Sequence, residues 1–218
     1  MRTIAVENNL YTYNELSADA QRNAKNWYLN EFHTPDIFAD MIASDLQGAF
    51  GADMELDTEF SLNYCQGDGL NIYGKIDADK ILDFMGSDCF GELSAKYKDA
   101  LAEDEKDAIR RYCEFDNGYY HDFGIVEVPK NNSCLYSYCC AENIDIADSW
   151  STEMKYFGVT HDYDLLKKFE NVVIDIFTEL CDMYKQWGYD YFYEIDDEDM
   201  ENECEINDWE FDVDDHIV

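Results

Sequence analysis

Apolar residues recur at helical spacing near the start of the chain. The pattern predicts a first helix over residues 14–31, with Ser17 placed to act as its N-cap. The apolar stripe of this helix consists of Leu16, Ala20, Ala24, Trp27 and Tyr28. Thr34 and Pro35 supply a cap and a first-turn proline for a second helix. Its stripe consists of Ile37, Phe38, Met41, Ile42 and Leu46.

The period of the pattern changes to two between Met54 and Tyr64, which predicts a half-buried strand. Its apolar face consists of Met54, Leu56, Phe60, Leu62 and Tyr64, and its polar face of Glu55, Asp57, Glu59, Ser61 and Asn63. The sequence Gln66-Gly67-Asp68-Gly69 is typical of a turn, and the alternation resumes with Leu70, Ile72 and Ile76. Residues 54–76 are therefore predicted to form a β-hairpin with Gly74 at a bulge or a close contact.

The middle of the chain changes from helical to strand-like patterning. Residues 78–86 and 92–112 have a broken helical pattern, which predicts short helices. Residues 119–128 and 133–141 are strand-like, and the Pro129-Lys130-Asn131-Asn132 sequence between them predicts a turn. These segments form a second candidate hairpin.

The strongest helical signal comes after residue 160. A helix is predicted to begin at Asp162 or Asp164 and to stop at Gly188. Its wide apolar face consists of Leu165, Leu166, Phe169, Val172, Val173, Ile176, Phe177, Leu180, Tyr184 and Trp187. Such a face is typical of a helix that forms the core.

Together these elements predict an α+β fold. An antiparallel sheet would have helices packed on one face, with one long C-terminal core helix and an acidic C-terminal segment. The 218 residues include two prolines and 11 glycines, and no stretch has the composition of a linker. We therefore expect a single domain over residues 1–218.

The charge balance changes the functional picture. The chain has 50 Asp and Glu against 15 Lys and Arg, a formal net charge of -35. Disordered acidic proteins are poor in aromatic residues, whereas this chain is 16% aromatic and 46% hydrophobic, so it is expected to fold. Phosphates would be repelled by this charge, which argues against direct binding of nucleic acid. Halophilic adaptation, cation buffering and a solvated acidic tail are alternative explanations of the excess.

The acidic residues are densest near the C-terminus. Residues 190–215 carry fourteen carboxylates interleaved with aromatic and aliphatic side chains, and no Lys or Arg follows Lys185. Blocks of like charge are usually solvated tails. Buried rings remove roughly 150–250 Å² each from water, so we expect an ordered acidic ridge that its rings hold in place. A frayed tail is the alternative.

Motifs of common catalytic sites are absent from the sequence. It contains no phosphate-binding loop, HExxH, GxSxG or regular calcium loop, and we expect no catalytic residues and no cofactor. Cys134, Cys139 and Cys140 lie near one another with His121 upstream, but their spacing matches no zinc motif, and we expect no metal site. A cluster of His121 with cysteines in a pocket would favour an enzyme.

Targeting signals are also absent from the sequence. Met1 is followed by no apolar stretch of signal-peptide length, and no run approaches the roughly 18 apolar residues of a membrane span. We therefore expect a cytoplasmic protein with no membrane contact. The eight cysteines are then expected to be reduced.

Three segments of the sequence carry a resemblance to known proteins. They are Leu10 to Ala20 with Ala24, Trp27 and Tyr28, the turn Tyr64-Cys65-Gln66-Gly67-Asp68-Gly69, and Asn207 to Asp212. Together they resemble a widespread set of acidic phage and prophage proteins. Residues 86–160 are not placed by it. The resemblance implies an origin in a phage or another mobile element. It implies no activity, because this family has no established one.

A folded phage protein with this charge and no catalytic motif is similar to the nucleic-acid mimics that inhibit host defence. We therefore predict a non-enzymatic inhibitor that occupies the basic nucleic-acid groove of a CRISPR effector or a restriction enzyme in the bacterial cytoplasm. The predicted contact residues are Asp190, Glu194, Asp196, Asp197, Glu198, Asp199, Glu201, Glu203, Glu205, Asp208, Glu210 and Asp212, with Glu55, Asp57 and Glu59 as a second row. An antitoxin-like protein that sequesters a basic toxin, and an enzyme with an unfamiliar site, are the alternatives.

Overall fold

The computed structural model describes residues 9–65, 67–114, 124–130 and 139–212. Its helices and strands form an α+β fold with a three-stranded antiparallel sheet. In chain order they are α1 (Ala18–Phe32), α2 (Pro35–Phe50), β1 (Glu55–Ser61), β2 (Gly69–Asp77), α3 (Ala78–Phe84), α4 (Glu92–Tyr97), α5 (Glu103–Cys113), β3 (Ile125–Val128), α6 (Ala147–Tyr156), α7 (Tyr163–Tyr193) and α8 (Asp197–Ile206).

The chain divides into two compact units. The terminal unit comprises the described residues of Met1–Phe38 and Trp187–Val218, and the central unit those of Ala39–Gln186. The sheet lies in the central unit, and α1 and α8 lie in the terminal unit. A single domain over residues 1–218 remains a prediction.

The predicted caps of the first two helices are confirmed. The backbone N–H of Ala20 donates to Ser17 Oγ at 3.2 Å, and that of Ile37 donates to Thr34 Oγ1 at 3.4 Å. The predicted stripe of α2 is partly wrong, because Ile37 and Met41 are exposed. The buried residues of α2 follow a strict four-residue spacing, which turns positions 37 and 41 away from the packed face. They are Phe38, Ile42, Leu46 and Phe50.

The first hairpin is confirmed. Strands β1 and β2 pair antiparallel, with Leu56 opposite Gly74. Gly74 has a φ of +128°, and a Cβ there would lie 2.0 Å from the carbonyl oxygen of Glu55, so the predicted close contact is present. Tyr64 was predicted on the apolar face and is instead 63% exposed, because it lies in the turn after β1 with a φ of +52°.

The second predicted hairpin falls largely on residues 115–123 and 131–138, which lie outside the described residues. Within the described part, β3 pairs antiparallel with β2, and Val128 lies opposite Gly74. Ala141 begins a short 3-10 turn and is therefore not the end of a strand. Strand β2 is thus central in the order β1-β2-β3.

The long helix α7 supplies core residues of the central unit. Asp162 Oδ1 accepts hydrogen bonds from the backbone N–H groups of Asp164 and Leu165 at 3.0 and 3.2 Å, which identifies the N-cap. The predicted end at Gly188 is wrong, because α7 continues to Tyr193. A helical glycine costs only about 1 kcal/mol relative to alanine. The ring of Tyr191 stacks on Phe38 with centroids 5.2 Å apart, which holds the added turn in place.

The short helices α3, α4 and α5 confirm the broken helical pattern of residues 78–112. Among the described residues, no helix combines the length and the apolar composition that crossing a membrane requires.

Candidate protein-binding surface

The acidic C-terminal segment packs on α1 through apolar side chains. Its buried residues Met200, Cys204 and Phe211 share one cluster with Tyr13, Ala24 and Tyr28 of the N-terminal part. The backbone groups of Tyr11 and Phe211 also form a β-bridge, with N–H to O distances of 2.8 and 2.9 Å.

Two rings hold this segment as the sequence predicts. Phe211 is fully buried, and Trp209 makes an edge contact with Trp27 at a centroid distance of 5.2 Å. Tyr193 and Ile206 are exposed by 44% and 76%, so burial of their side chains contributes less. The predicted ridge extends to residue 215, and its residues 213–215 lie outside the described residues.

Helix α8 is stabilised at its start by its own carboxylates. Asp196 is the N-cap, and its Oδ1 accepts the backbone N–H of Asp199 at 2.7 Å. Asp197, Glu198 and Asp199 occupy the first turn, where the positive end of the helix dipole favours negative charge. Part of the local charge density therefore helps the helix to form.

Asp197 connects α8 to the N-terminal part of the unit. Its Oδ1 lies 2.6 Å from Lys25 Nζ and accepts a hydrogen bond from the Tyr13 hydroxyl at 2.8 Å. Lys25 Nζ also donates to the carbonyl oxygen of Ile195 at 3.0 Å. The bond from Lys25 and then that from Tyr13 lower the pKa of Asp197 below its ordinary value. Burial and then the bond to Asp197 raise the pKa of Tyr13.

Two further carboxylates of α8 bind residues before and on α1. Glu201 accepts a hydrogen bond from the Asn14 side chain. Glu203 bonds with the Tyr28 hydroxyl, and burial followed by the charge of Glu203 raises the pKa of Tyr28 to about 12. Asp196, Asp197, Glu201 and Glu203 thus have bonds inside the unit, although all four were predicted to contact a partner.

Other predicted contact residues point their carboxylates toward solvent. We define the outward set as the exposed carboxylates for which the described part of the chain shows no side-chain hydrogen bond or ion pair. It consists of Glu194, Glu198, Asp199, Glu205, Asp208 and Glu210. Asp190 is exposed, and Asp212 is half-buried beside Phe211.

Cations are scarce in the terminal unit. Residues 9–38 and 187–212 contain sixteen acidic residues (Asp or Glu) but only two basic residues, Arg22 and Lys25. Lys25 is paired with Asp197, and Arg22 is paired with Asp19 at 3.2 Å. The basic side chains in this part of the chain are therefore already occupied by neighbouring carboxylates.

A groove of about 620 Å³ lies beside the outward set. It is lined by Thr12, Tyr13, Asn14, Glu201, Cys204, Glu205, Asp208, Trp209 and Glu210. Its wall combines carboxylates with the indole of Trp209, and both attract cations. The arrangement is suited to a basic side chain.

The predicted second row of carboxylates lies on β1 in the central unit and is partly compensated. Glu55 lies directly opposite Lys75 on β2. Asp57 Oδ2 accepts the hydroxyl of Tyr73 at 2.8 Å, and Lys130 Nζ donates to the same hydroxyl at 3.0 Å.

Glu59 was predicted to point outward together with Glu55 and Asp57. It is half-buried instead, because its Oε1 accepts a hydrogen bond from the side chain of buried Asn71 at 3.3 Å. The second row is therefore a weaker anionic surface than the outward set.

Sequence reasoning missed the residues that hold α8, namely Tyr13, Asn14, Lys25 and Tyr28. A signal was available for Lys25, which is one of two Lys and Arg residues between positions 9 and 38. In a strongly acidic chain, such an isolated cation is expected to pair with a carboxylate.

Within the described ranges, no group of three or more His, Cys, Asp or Glu side chains is arranged to hold a metal ion. His121 and Cys134 of the cluster considered above lie outside those ranges. Cys139 and Cys140 lie within them, half-buried and buried respectively.

Comparison with known protein families, with curated proteins and with solved structures gives no match to this chain.

Proposed function

We propose that this protein is a non-enzymatic inhibitor whose outward set binds the basic nucleic-acid groove of a host defence protein, such as a CRISPR effector or a restriction enzyme. The observation that carries the proposal is the partition of charge in the terminal unit. Within the described residues 9–38 and 187–212, the two basic side chains, Arg22 and Lys25, are paired internally, whereas the outward set is exposed. A basic partner would therefore meet carboxylates with few competing cations nearby.

The linear charge density of α8 supports mimicry of a phosphate backbone. The ten residues of α8 span about 15 Å, because an α-helix rises about 1.5 Å per residue. Seven carboxylates between Asp196 and Glu205 give one charge per about 2 Å of helix axis, and a DNA duplex carries one per about 1.7 Å. Arg and Lys side chains spaced for phosphates would meet a similar density of charge.

The groove beside Trp209 could accommodate one basic side chain of a partner that binds phosphates. An Arg side chain of the partner would lie against the indole while its guanidinium binds Glu205 or Glu210. Loss of one partner of a buried charge pair typically speeds dissociation, whereas loss of a rim charge mainly slows association. The groove would thus fix the orientation of the complex, and the remaining carboxylates would speed the encounter.

The test is a competition experiment with purified nucleic-acid-binding enzymes. A panel of CRISPR effectors and restriction enzymes is titrated with this protein in the presence of fluorescent duplex DNA, at two salt concentrations. We expect it to displace DNA from at least one enzyme, and the displacement to weaken at the higher salt concentration. A basic protein that binds no nucleic acid is included to detect attraction by charge alone.

Two variants with equal net charge locate the surface. In the first, the six residues of the outward set become amides. In the second, six exposed carboxylates of the central unit become amides, namely Asp40, Asp88, Glu92, Asp99, Asp104 and Glu142. Exposed pairs contribute about 0.2–1 kcal/mol each, so the first variant is expected to lose about tenfold or more in apparent affinity.

The central-unit variant is expected to bind within about threefold of the unchanged protein, since only long-range steering is weakened. Equal losses in both variants would contradict a localised surface. Binding of the enzyme together with its DNA would contradict mimicry, and preferred binding to the control protein would favour the antitoxin-like alternative.

A further inference from the structure

Two thiols of the central unit lie in hydrogen-bond contact. Cys181 is buried on α7, and its S–H group bonds with the sulfur of Cys139, which is half-buried. Cys139 is the second residue before the 3-10 turn Ala141–Asn143, in backbone that is neither helix nor strand. The two sulfurs are therefore neighbours although 42 positions separate them in sequence.

The backbone next to Cys139 is fixed by a buried amide. The N–H of Cys140 donates to Asn71 Oδ1 at 2.8 Å, and Asn71 is fully buried on β2. Asn71 Nδ2 donates in turn to the carbonyl oxygen of Pro129 at 3.1 Å. Cys181 also accepts a hydrogen bond from the backbone N–H of Ile72. Both cysteines are thus held against the same strand.

The surroundings of Cys139 stabilise its thiolate. The bond from Cys181 is the main cause that lowers the pKa of Cys139 to about 7, and burial opposes it. The backbone N–H of Ala141 and the Thr178 side chain donate further hydrogen bonds. Exposed Cys65 differs, because its bond to Asp68 raises its pKa. The thiolate is the nucleophilic form of cysteine.

We propose that Cys139 and Cys181 form a peroxide-reactive dithiol, with Cys139 as the attacking residue and Cys181 as the resolving residue. The Cys139 thiolate attacks one oxygen of hydrogen peroxide, the O–O bond breaks, and hydroxide leaves to give a sulfenic acid. The Cys181 sulfur then attacks the Cys139 sulfur, the S–O bond breaks, and water leaves with the proton of Cys181. The two sulfurs together lose two electrons, and the peroxide is reduced.

The product would connect two parts of the central unit covalently. A Cys139–Cys181 disulfide ties the segment before Ala141 to α7, beside the central strand β2. Cys139 is accessible enough to meet peroxide, and Cys181 is buried enough to be shielded from it. This difference assigns the two roles, and the assignment does not depend on the function proposed above.

The experiment treats the full-length protein with hydrogen peroxide at neutral pH. Free thiols are then alkylated under denaturing conditions, and the protein is analysed by intact mass and peptide mapping. We expect the loss of two hydrogen atoms and one linked peptide pair that contains Cys139 and Cys181. In the variant Cys181→Ser, dimedone is expected to trap a sulfenic acid on Cys139. The control Cys204→Ser, which changes a buried cysteine of the terminal unit, should form the disulfide like the unchanged protein.

The order of reactivity gives a second readout that does not require a variant to fold. At pH 7 a thiol of pKa about 7 has a thiolate fraction about fifteen times that of an ordinary cysteine of pKa about 8.5, and its lower basicity removes about fivefold of this advantage. The bond to Asp68 disfavours the Cys65 thiolate, so Cys139 is expected to oxidise about threefold faster than the more exposed Cys65. Faster oxidation of Cys65, or a disulfide from Cys139 to Cys134 or Cys140, would overturn the proposal.

Discussion

Glu170 offers the sharpest test of how buried charge stabilises the central unit. Its side chain is only 3% exposed, and its Oε2 accepts the backbone N–H groups of Ile146 and Ala147, each at 2.9 Å. Its Oε1 pairs with Lys167 one helical turn earlier on α7. Ile146, the N-cap residue of α6, has no polar side chain, so a carboxylate from another helix performs the capping.

The cost of removing this carboxylate follows from its two backbone donors. Hydrogen bonds to a charged group contribute about 1.5–3 kcal/mol, against about 0.5–1.5 kcal/mol for neutral ones. Glu170→Gln keeps an acceptor oxygen but makes both bonds neutral, so we expect it to lower the free energy of unfolding by about 2 kcal/mol. Glu170→Ala leaves both donors without an acceptor and is expected to cost about 3–5 kcal/mol.

The pH dependence of this loss has a definite sign. Burial raises the pKa of Glu170, but the Lys167 pair and the two N–H donors outweigh it and hold the pKa below its ordinary value of 4.5. A group whose pKa is lowered on folding stabilises the protein above its unfolded pKa, and this contribution is lost as the pH falls through the folded pKa. The difference in stability between the unchanged protein and the Glu170→Gln variant is therefore expected at neutral pH and should shrink in acid.

The measurement is urea unfolding followed by fluorescence at neutral pH and near pH 3, together with amide hydrogen exchange of residues 146–150. The matched control is Asp175→Asn, which removes one exposed carboxylate from the same helix. If Glu170→Gln and Asp175→Asn had equal effects at both pH values, the capping argument would be refuted. Exchange at residues 146–150 that is unchanged in Glu170→Ala would refute it as well.

Three further predictions concern the charge and the two units. The melting temperature should rise from low to physiological ionic strength, because screening over about 8–10 Å reduces carboxylate repulsion; a flat thermal melting series would show that bound cations already compensate the charge. In urea unfolding, Phe177→Ala should lower the free energy of unfolding by about 3–5 kcal/mol, because Phe177 is fully buried. Tyr193→Ala should lower it clearly less, because Tyr193 is 44% exposed, and equal losses would contradict this reasoning. Lys25→Met should raise the pKa of Asp197 toward its ordinary value in a carboxyl NMR titration, while Arg22→Met should leave it unchanged.

Much of the fold could be predicted because local chemistry determines it. The caps Ser17 and Thr34 and the close contact at Gly74 follow from side-chain type at a given position, and these predictions are confirmed. Alternation of apolar residues likewise identified β1 and β2. The capping and alternation signals need only neighbours in sequence, which the chain provides before any tertiary contact forms.

The sequence-based predictions are wrong where tertiary contacts determine the end of a helix or its buried face. Gly188 is a reasonable helix end by its own preference, but the stacking of Tyr191 on Phe38 stabilises a longer helix. Met41 has the right period for the buried face of α2 and is still exposed, because Phe38, Ile42 and Leu46 define a narrower face. No pattern within a single segment contains this information.

The same limit applies to the candidate surface. The sequence predicts a dense acidic segment, but it cannot separate the carboxylates that hold α8 in place from those that remain exposed. Asp197 and Glu198 are neighbours of the same charge, yet Asp197 binds Lys25 and Tyr13 while Glu198 faces solvent. The difference depends on the side of α8 that packs on α1, where Met200 and Cys204 are buried, and this side is established only by the tertiary contact.

The distinction between carboxylates bound within the terminal unit and exposed carboxylates determines how mimicry has to be tested. Neutralising Asp197 or Glu201 would weaken the packing of α8, and binding would then fall for a structural reason whatever the partner recognises. Neutralising the outward set leaves the hydrogen bonds of α8 in place and removes charge that faces solvent. Glu198 and Asp199 also interact with the positive end of the helix dipole, and urea unfolding of the variant measures that effect separately from binding. If only the variants of the outward set lose binding, the loss reports recognition of the partner. If only the variants of Asp197 and Glu201 lose binding, the loss reports a change in folding.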